Sequence, residues 1–406
     1  MSTPGASRRE GGIPEELPAP LDGSATVTVE VADSIAALQS LQPDYQQLQR
    51  LTGNTLPFAL YEWHLVWCQQ FLNIHKRIDT EMMIHVLRDQ NRGCVGVVPL
   101  MRTRRGVGPL RINTIDLLGA DPGVTEIRAP LIASGYERRA AHLVQKSILG
   151  APPHWVQWSG VTAEFGAALA DRAKLRWQAP TLDYILDLPA SWEELRAQLK
   201  RNIRESIRHC YNSLKRDGLH AELRTASGLE EVRAAIERFK KLHTLRAARA
   251  DTIKHHDVFA LTSSCSFLHG ICEHLAPRGI LRVFELYLNG EVVATRLGFV
   301  IDKSLYLYYS GYDPAWSKYS VMTTTLVETL KYAIASGLTT VNLSPGNDVS
   351  KTRWAPRVVE YAQAAQVFPN FFGEVAWNAY RRVRDKEAAG LPQFLGLTRL
   401  IKRTWV

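Results

Sequence analysis

The sequence predicts an α/β (α+β) chain of two tandem, structurally similar units. Each unit is a mixed, mostly antiparallel sheet flanked by helices, and a long basic helix pair lies between them. Three observations predict this. Strand-like and helix-like segments alternate along most of the chain. Two turn glycines, Gly93 and Gly290, lie 197 residues apart, and from each the chain runs hairpin, strand, helix, strand. Of the 406 residues, 46% are hydrophobic and 22% charged, enough for a sizeable core and unlike a disordered, collagenous or coiled-coil chain. The expected boundaries are a disordered leader over 1–25, units over 26–185 and 186–375, and a helical tail over 376–406.

Residues 1–25 hold four prolines and four glycines and no apolar period, so they read as a leader without a secretory core segment. Val27–Val31 alternates as a strand. Ser34–Leu51 and Glu62–Phe71 carry helical spacing. Met82–Leu87 and Cys94–Met101 read as strands joined by a turn-rich link ending at Gly93, and Ile112–Leu118 is a further apolar run. Glu137–Ile148 is helical and Trp155–Trp158 a short strand.

Next comes the basic segment. Trp192, Leu195, Leu199, Ile203, Ile207, Cys210 and Leu214 step by three and four, which predicts one long helix. Ser191 and Glu194 have capping-box spacing at its start, and Asp217-Gly218 ends it. A second helix is expected over Leu229–Leu245. Between Arg196 and Lys254 there are 15 Lys/Arg against 7 Asp/Glu, in a chain of net charge +9. Such a concentration suits phosphates, an anionic membrane face or nucleic acid, although a solvated helix face has the same composition.

The second unit opens with strands Leu281–Leu288 and Val292–Ile301 around Asn289-Gly290, a strong hairpin signal. Ser304–Ser310 is a third strand, Val321–Ser336 a helix stopped at Gly337, and Thr340–Ser344 the strand after it. The apolar region Leu281–Gly311 is broken by six charged residues, so no membrane span is expected. The five scattered cysteines lack metal-ligand spacing and fit a reducing compartment, and His255-His256 has no third ligand, so no metal is expected. Gly-x-Ser-x-Gly, Walker and Gly-x-Gly-x-x-Gly motifs are absent, which leaves serine hydrolases, NTPases and nicotinamide oxidoreductases unsupported. Cytoplasmic residence is the default expectation.

Several segments together resemble the CelD/BcsL-like acetyltransferases of the GNAT superfamily. They are Leu199–Arg204, Leu242–Arg246, the hairpin Glu285–Phe299, Tyr308–Asp313 and Lys351–Trp354. The resemblance is close over about 160–360 and loose before it, and the duplicated pattern is also similar to the Fem-type aminoacyl ligases. The chain departs from many relatives in having Tyr319-Ser320-Val321 in place of Ser-Pro-Gly, and Asn342 in place of an Asp.

The resemblance implies a site. Acyl-CoA, as acetyl-CoA or another thioester, would lie against Ser310 and Gly311, with its pyrophosphate at the strand-to-helix junction Ser317, Lys318, Tyr319 and Ser320, where helix N–H groups and the dipole attract an anion. Lys351 would face the active centre and stabilise an oxyanion or grip a phosphate. Tyr312 is a candidate proton donor to the thiolate, and Asp313 or His243 a candidate proton acceptor. Arg201, Arg204, Arg246 and Arg353 would hold an anionic acceptor, and Trp354 would stack on a sugar or wall the cavity.

The function implied is an acyl-CoA-dependent N- or O-acyltransferase acting on a cell-envelope polysaccharide precursor or a related anionic metabolite. Peripheral contact with the inner membrane or a polysaccharide synthase is part of that expectation. The alternatives are a Fem-like ligase using aminoacyl-tRNA and a non-catalytic component of a polysaccharide-assembly system.

Overall fold

Hairpin turns organise the sheet. At the second one, Asn289 and Gly290 both take positive φ (48° and 87°), as a two-residue turn needs if it is to match strand twist. The computed structural model describes residues 26–72, 78–106, 111–120, 123–249 and 255–388. The expected leader and the end of the expected tail (389–406) lie outside the described residues.

In chain order the strands are β1 (Val27–Ala32), β2 (Ile78–Asp89), β3 (Gly93–Arg105), β4 (Ile112–Leu117), β5 (Leu131–Ile132), β6 (Trp155–Val161) and β7 (Arg176–Asp187). They continue as β8 (Ala221–Ala226), β9 (Leu281–Leu288), β10 (Glu291–Ile301), β11 (Ser304–Tyr312), β12 (Thr340–Asn342) and β13 (Arg357–Val367). The helices are α1 (Ile35–Ser40), α2 (Gln42–Thr52), α3 (Tyr61–Phe71), α4 (Glu137–Gly150), α5 (Ala163–Ala170) and α6 (Trp192–Gln198). After them come α7 (Arg201–Arg216), α8 (Leu229–Ala247), α9 (Thr262–Leu275), α10 (Val321–Ala335), α11 (Val349–Thr352) and α12 (Phe371–Ala388).

All the strands described join one sheet in the order β1-β2-β3-β4-β6-β13-β7-β12-β11-β10-β9-β8, with β5 beside β3. Each half repeats one pattern: three antiparallel strands (β2-β3-β4; β9-β10-β11) followed by a parallel neighbour (β6; β12). The halves then exchange a strand. β13 pairs with β6 of the first half, and β7 pairs with β12 of the second. β7 and β13 pair with each other and make the sheet continuous.

Alternation along β11 sends its side chains into two layers. Leu305 and Leu307 join a core with Ile203 and Ile207 of α7 and Leu326 of α10. Tyr306 and Tyr308 point the other way, into a core shared by α3 of the first half with α8 and α9 of the second. There Phe58 meets Tyr306 edge-on at 5.1 Å and Trp63 meets Phe267 at 5.0 Å, so aromatic burial fastens one half to the other.

The elements differ from the sequence expectation in several places. The long helix expected over Ser191–Gly218 breaks at Leu199 and Lys200, both extended (ψ 146° and 149°). Leu199 and Ile203 are buried on both sides of the break, so apolar spacing conceals it. The helix expected over Ser34–Leu51 is two, because Pro43 cannot continue α1 and instead opens α2. The strand expected over Thr340–Ser344 stops at Asn342, since Ser344 turns to φ 67° before Pro345. β7, β8, β13 and α9 have no counterpart in the expectation.

Candidate active site

β11 and β12 run parallel for only three rungs, Ser304 to Thr340, Leu305 to Val341 and Tyr306 to Asn342. Beyond the last rung Leu343 bonds to Tyr184 of β7 instead, and the strands part. A cavity of about 150 Å³ opens there, lined by the first turns of α10 on one face of the sheet and by Arg246 of α8 on the other. Four cations line it, Arg246, Arg296, Lys351 and Arg353, and none of the lining residues is acidic. Nε of Arg296 and Nε and Nη2 of Arg353 are buried with no hydrogen-bond partner among the described residues. Burial lowers the Arg296 guanidinium to about 10, aided by repulsion from Arg246, and burial lowers Lys351 as well. Asp348 stands 3.8 Å from Lys351, but the unbonded guanidinium nitrogens of Arg296 and Arg353 would be satisfied by a ligand bearing a phosphate or carboxylate.

The structure gathers some of the expected residues and separates others. Ser310, Lys351, Arg246, Arg353 and the buried Trp354 meet at the cavity. Arg246 Nη1 donates to Ser310 Oγ (2.6 Å). Lys351 Nζ donates to the carbonyl and hydroxyl of Ser344 (3.2 and 3.1 Å) and to the carbonyl of Pro345, so it bridges the turn after β12. Ser317, Lys318 and Tyr319 form a short turn ahead of α10, and Ser320 takes the left-handed conformation (φ 54°) at the helix start. Among the described residues no side chain caps α10; the Thr323 and Thr324 N–H groups bond to the Ser320 carbonyl, which leaves those of Val321 and Met322 for a ligand.

Gly311 answers to packing. A Cβ there would run into the backbone of Leu242 and His243, so glycine lets α8 seat directly on β11. His243 lies behind the strand, stacked on Phe239 (5.4 Å) and bonded through Nδ1 to the Ser310 carbonyl (3.0 Å). Burial lowers its pKa, and it is not among the residues that line the cavity. The Tyr312 hydroxyl accepts from Arg249 (3.1 Å), and Asp313 caps the next turn by accepting from the Ala315 N–H (2.9 Å). Arg201 and Arg204 line a separate surface groove of about 490 Å³ with Arg196 and Arg208.

Sequence reasoning missed three groups at the root of the wedge, Glu126, Asp183 and Arg296. Tyr306, on the last rung, donates to Glu126 Oε2 (2.6 Å). Asn342, its partner across the rung, donates to Asp183 Oδ2 (2.6 Å) and accepts from the Ser344 N–H (2.8 Å). Both carboxylates come from the first half. Burial pushes Glu126 up to about 7 and Asp183 up to about 6, each against the pull of Lys351. Arg296 is the third; in sequence it is only a charge interrupting an apolar strand.

Among the described residues no cluster of His, Cys, Asp and Glu could hold a metal ion, and no helix is long and apolar enough to cross a membrane.

Residues 201–354 match the family described as acetyltransferase (GNAT) domain. FemX has the same fold: its crystal structure is 11% identical, with a TM-score of 0.54 over 80% of this chain and 96% of its own. A conserved protein of unknown function from Bacteroides thetaiotaomicron is 12% identical (TM-score 0.49, 84% of this chain and 100% of that one). A tandem GNAT protein of the clavulanic acid biosynthesis pathway is 11% identical (TM-score 0.44, 84% and 100%). No curated protein matches the chain.

Proposed function

We propose that this protein is an acyl-CoA-dependent acyltransferase whose acceptor is an anionic metabolite, such as a precursor of a cell-envelope polysaccharide. The observation that carries the reading is the parting of β11 and β12 over a cationic lining in which Arg296 and Arg353 keep unbonded nitrogens, beside a helix start without a side-chain cap. The donor's pyrophosphate would meet the first N–H groups of α10, with Lys318 adding a point charge. Its thioester would lie in the gap beside Ser310. Arg246, Arg296 and Arg353 would hold the acceptor's phosphate or carboxylate. The acceptor's amine or hydroxyl attacks the thioester carbonyl directly, and positioning with stabilisation of the carbonyl oxygen supplies most of the rate. We assign Lys351 to that oxygen, which it would reach by giving up one of its bonds to the turn after β12, and Tyr312 to protonation of the departing thiolate. We place the protein in the cytoplasm, in peripheral contact with the inner membrane or a polysaccharide synthase.

Replacing Lys351 with Ala should lower turnover on the order of 100-fold while acetyl-CoA affinity, measured by calorimetry, changes little. Unchanged turnover would remove Lys351 from the chemistry.

A second reading, a Fem-like ligase using aminoacyl-tRNA, has one observation in its favour: the groove along α7 lined by Arg196, Arg201, Arg204 and Arg208. Binding of charged tRNA that weakens steeply with salt, together with no affinity for acetyl-CoA, would select it.

A further inference from the structure

We propose that Glu126, delivered from the first half of the chain, takes the proton from the attacking amine or hydroxyl in the wedge of the second half. The inference rests on the acyltransferase reading above.

Glu126 belongs to the segment after β4, and that segment is pinned at several points. Thr125 fits against Gly119, where a Cβ would stand 2.6 Å from its hydroxyl, and Arg128 lies over Gly160, where a Cβ would stand 2.9 Å from its backbone nitrogen. Val124, Thr125, Ile127 and Ala129 are buried. From this anchorage the segment reaches across to β11. The Tyr308 hydroxyl donates to the Val124 carbonyl, that of Tyr309 to the Gly123 carbonyl (2.9 Å), and that of Tyr306 to Glu126 itself. Three successive contacts on the strand that forms one wall of the wedge place the carboxylate without any freedom of the loop.

The surroundings suit a proton acceptor. The groups facing Glu126 are Tyr306, Tyr308 and Tyr309 of β11, Arg296 of β10, Lys351 of α11 and Asp183 of β7. Arg296 and Lys351 line the cavity and their charges act on Glu126, so the carboxylate stands behind that lining at the root of the wedge, and a proton would reach it through one bridging water. Oε2 accepts from Tyr306, and no other group among the described residues bonds to Glu126, so Oε1 is left to receive a proton. Asp183 is the rival and is ruled out by its place: it is fully buried and holds Asn342. Burial sets Glu126 near neutrality, where a base is both ionised and strong enough to accept. In the step, the nucleophile forms its bond to the thioester carbon, the C–S bond breaks with its electron pair leaving on sulfur, and the nucleophile's proton passes to Glu126 and on to water. CoA leaves as the thiolate or, once protonated, as the thiol.

The test uses acetyl-CoA with two acceptors, water and hydroxylamine. Hydroxylamine is unprotonated at neutral pH and needs no base. Wild-type CoA release to water should rise with pH about a midpoint near 7. E126Q keeps an oxygen for Tyr306 and should bind acetyl-CoA normally. Its release to water should fall on the order of 100-fold and lose the pH limb, while hydroxylamine turnover stays within a few-fold of wild type. Y306F, which removes the bond favouring the carboxylate, should move the wild-type limb to higher pH. An E126Q enzyme that keeps both rate and limb overturns the proposal. So does one that loses acetyl-CoA binding and hydroxylamine turnover together, since that marks a structural role. If the wild type neither binds acetyl-CoA nor releases CoA, the acyltransferase reading itself fails and takes the base with it.

Discussion

In the first half, β4 and β6 share three parallel rungs, Thr114 to Trp155 through Asp116 to Gln157, before they part. In the second, β11 and β12 also share three and part in the same way. Past that point the two halves differ. The first gap is filled by the chain's own segment: β5 takes a place beside β3 where β4 has left it, and Arg128 presses its backbone on Gly160 of β6. Among the described residues no segment plugs the second gap in this way, and cations line it. One architecture therefore yields a closed socket and an open cleft. The closed socket serves the open one by holding the segment that presents Glu126 to Tyr306, and β7 adds Asp183 beneath Asn342. The two halves share one arrangement, and the first contributes both carboxylates at the root of the gap in the second.

Two glycines let this contrast be broken at either end. Gly311→Ala would push α8 off the wall of the open wedge, because the new methyl meets backbone that cannot rotate away. The expected result is the largest effect, about 3 kcal/mol or more of lost stability in denaturant melts and no turnover. Gly160→Ala acts on the closed wedge. It strains a residue at φ 83° and crowds Arg128, so it should cost about 1–3 kcal/mol and lower turnover by shifting Glu126, with acetyl-CoA affinity kept. Equal loss of affinity in both variants would mean that the two wedges do not have separate roles.

A smaller effect is expected at the helix start. Ser320 occupies a left-handed position that glycine takes more easily. Ser320→Gly relieves that strain and frees the unfolded chain, two changes that nearly offset, so stability should move by no more than about 0.5 kcal/mol. Acetyl-CoA affinity should hold or rise. A marked loss would show that the serine hydroxyl, and not the backbone, holds the donor.

The features legible in the sequence were those set by local chemistry. Asn289-Gly290 announces a hairpin, the run Ser304–Ser310 a strand, and Gly337 the end of α10, since each depends on backbone preferences of a few residues. The strand exchange was not legible. β7 and β13 find their partners through contacts more than 150 residues distant in sequence, and nothing in the pattern of either segment names the neighbour. The site divides along the same line. Arg246, Lys351, Arg353 and Trp354 were found from segments that resemble a known family. Glu126 and Asp183 were missed because an acidic residue in a loop and another in a half-polar strand look solvated until the fold buries them. His243 misled in the opposite sense: its helix face was read correctly, but the strand it packs behind separates it from the cavity.

The most direct test of two wedges with separate roles is the stoichiometry with which acetyl-CoA binds the whole chain, read by isothermal calorimetry on wild type and on a variant with the open wedge blocked, Ser310→Trp. One equivalent per chain, lost in the variant, is the result expected when only the second wedge is open. Two equivalents, or one that survives the block, would contradict it, and so would no binding by a well-folded wild type.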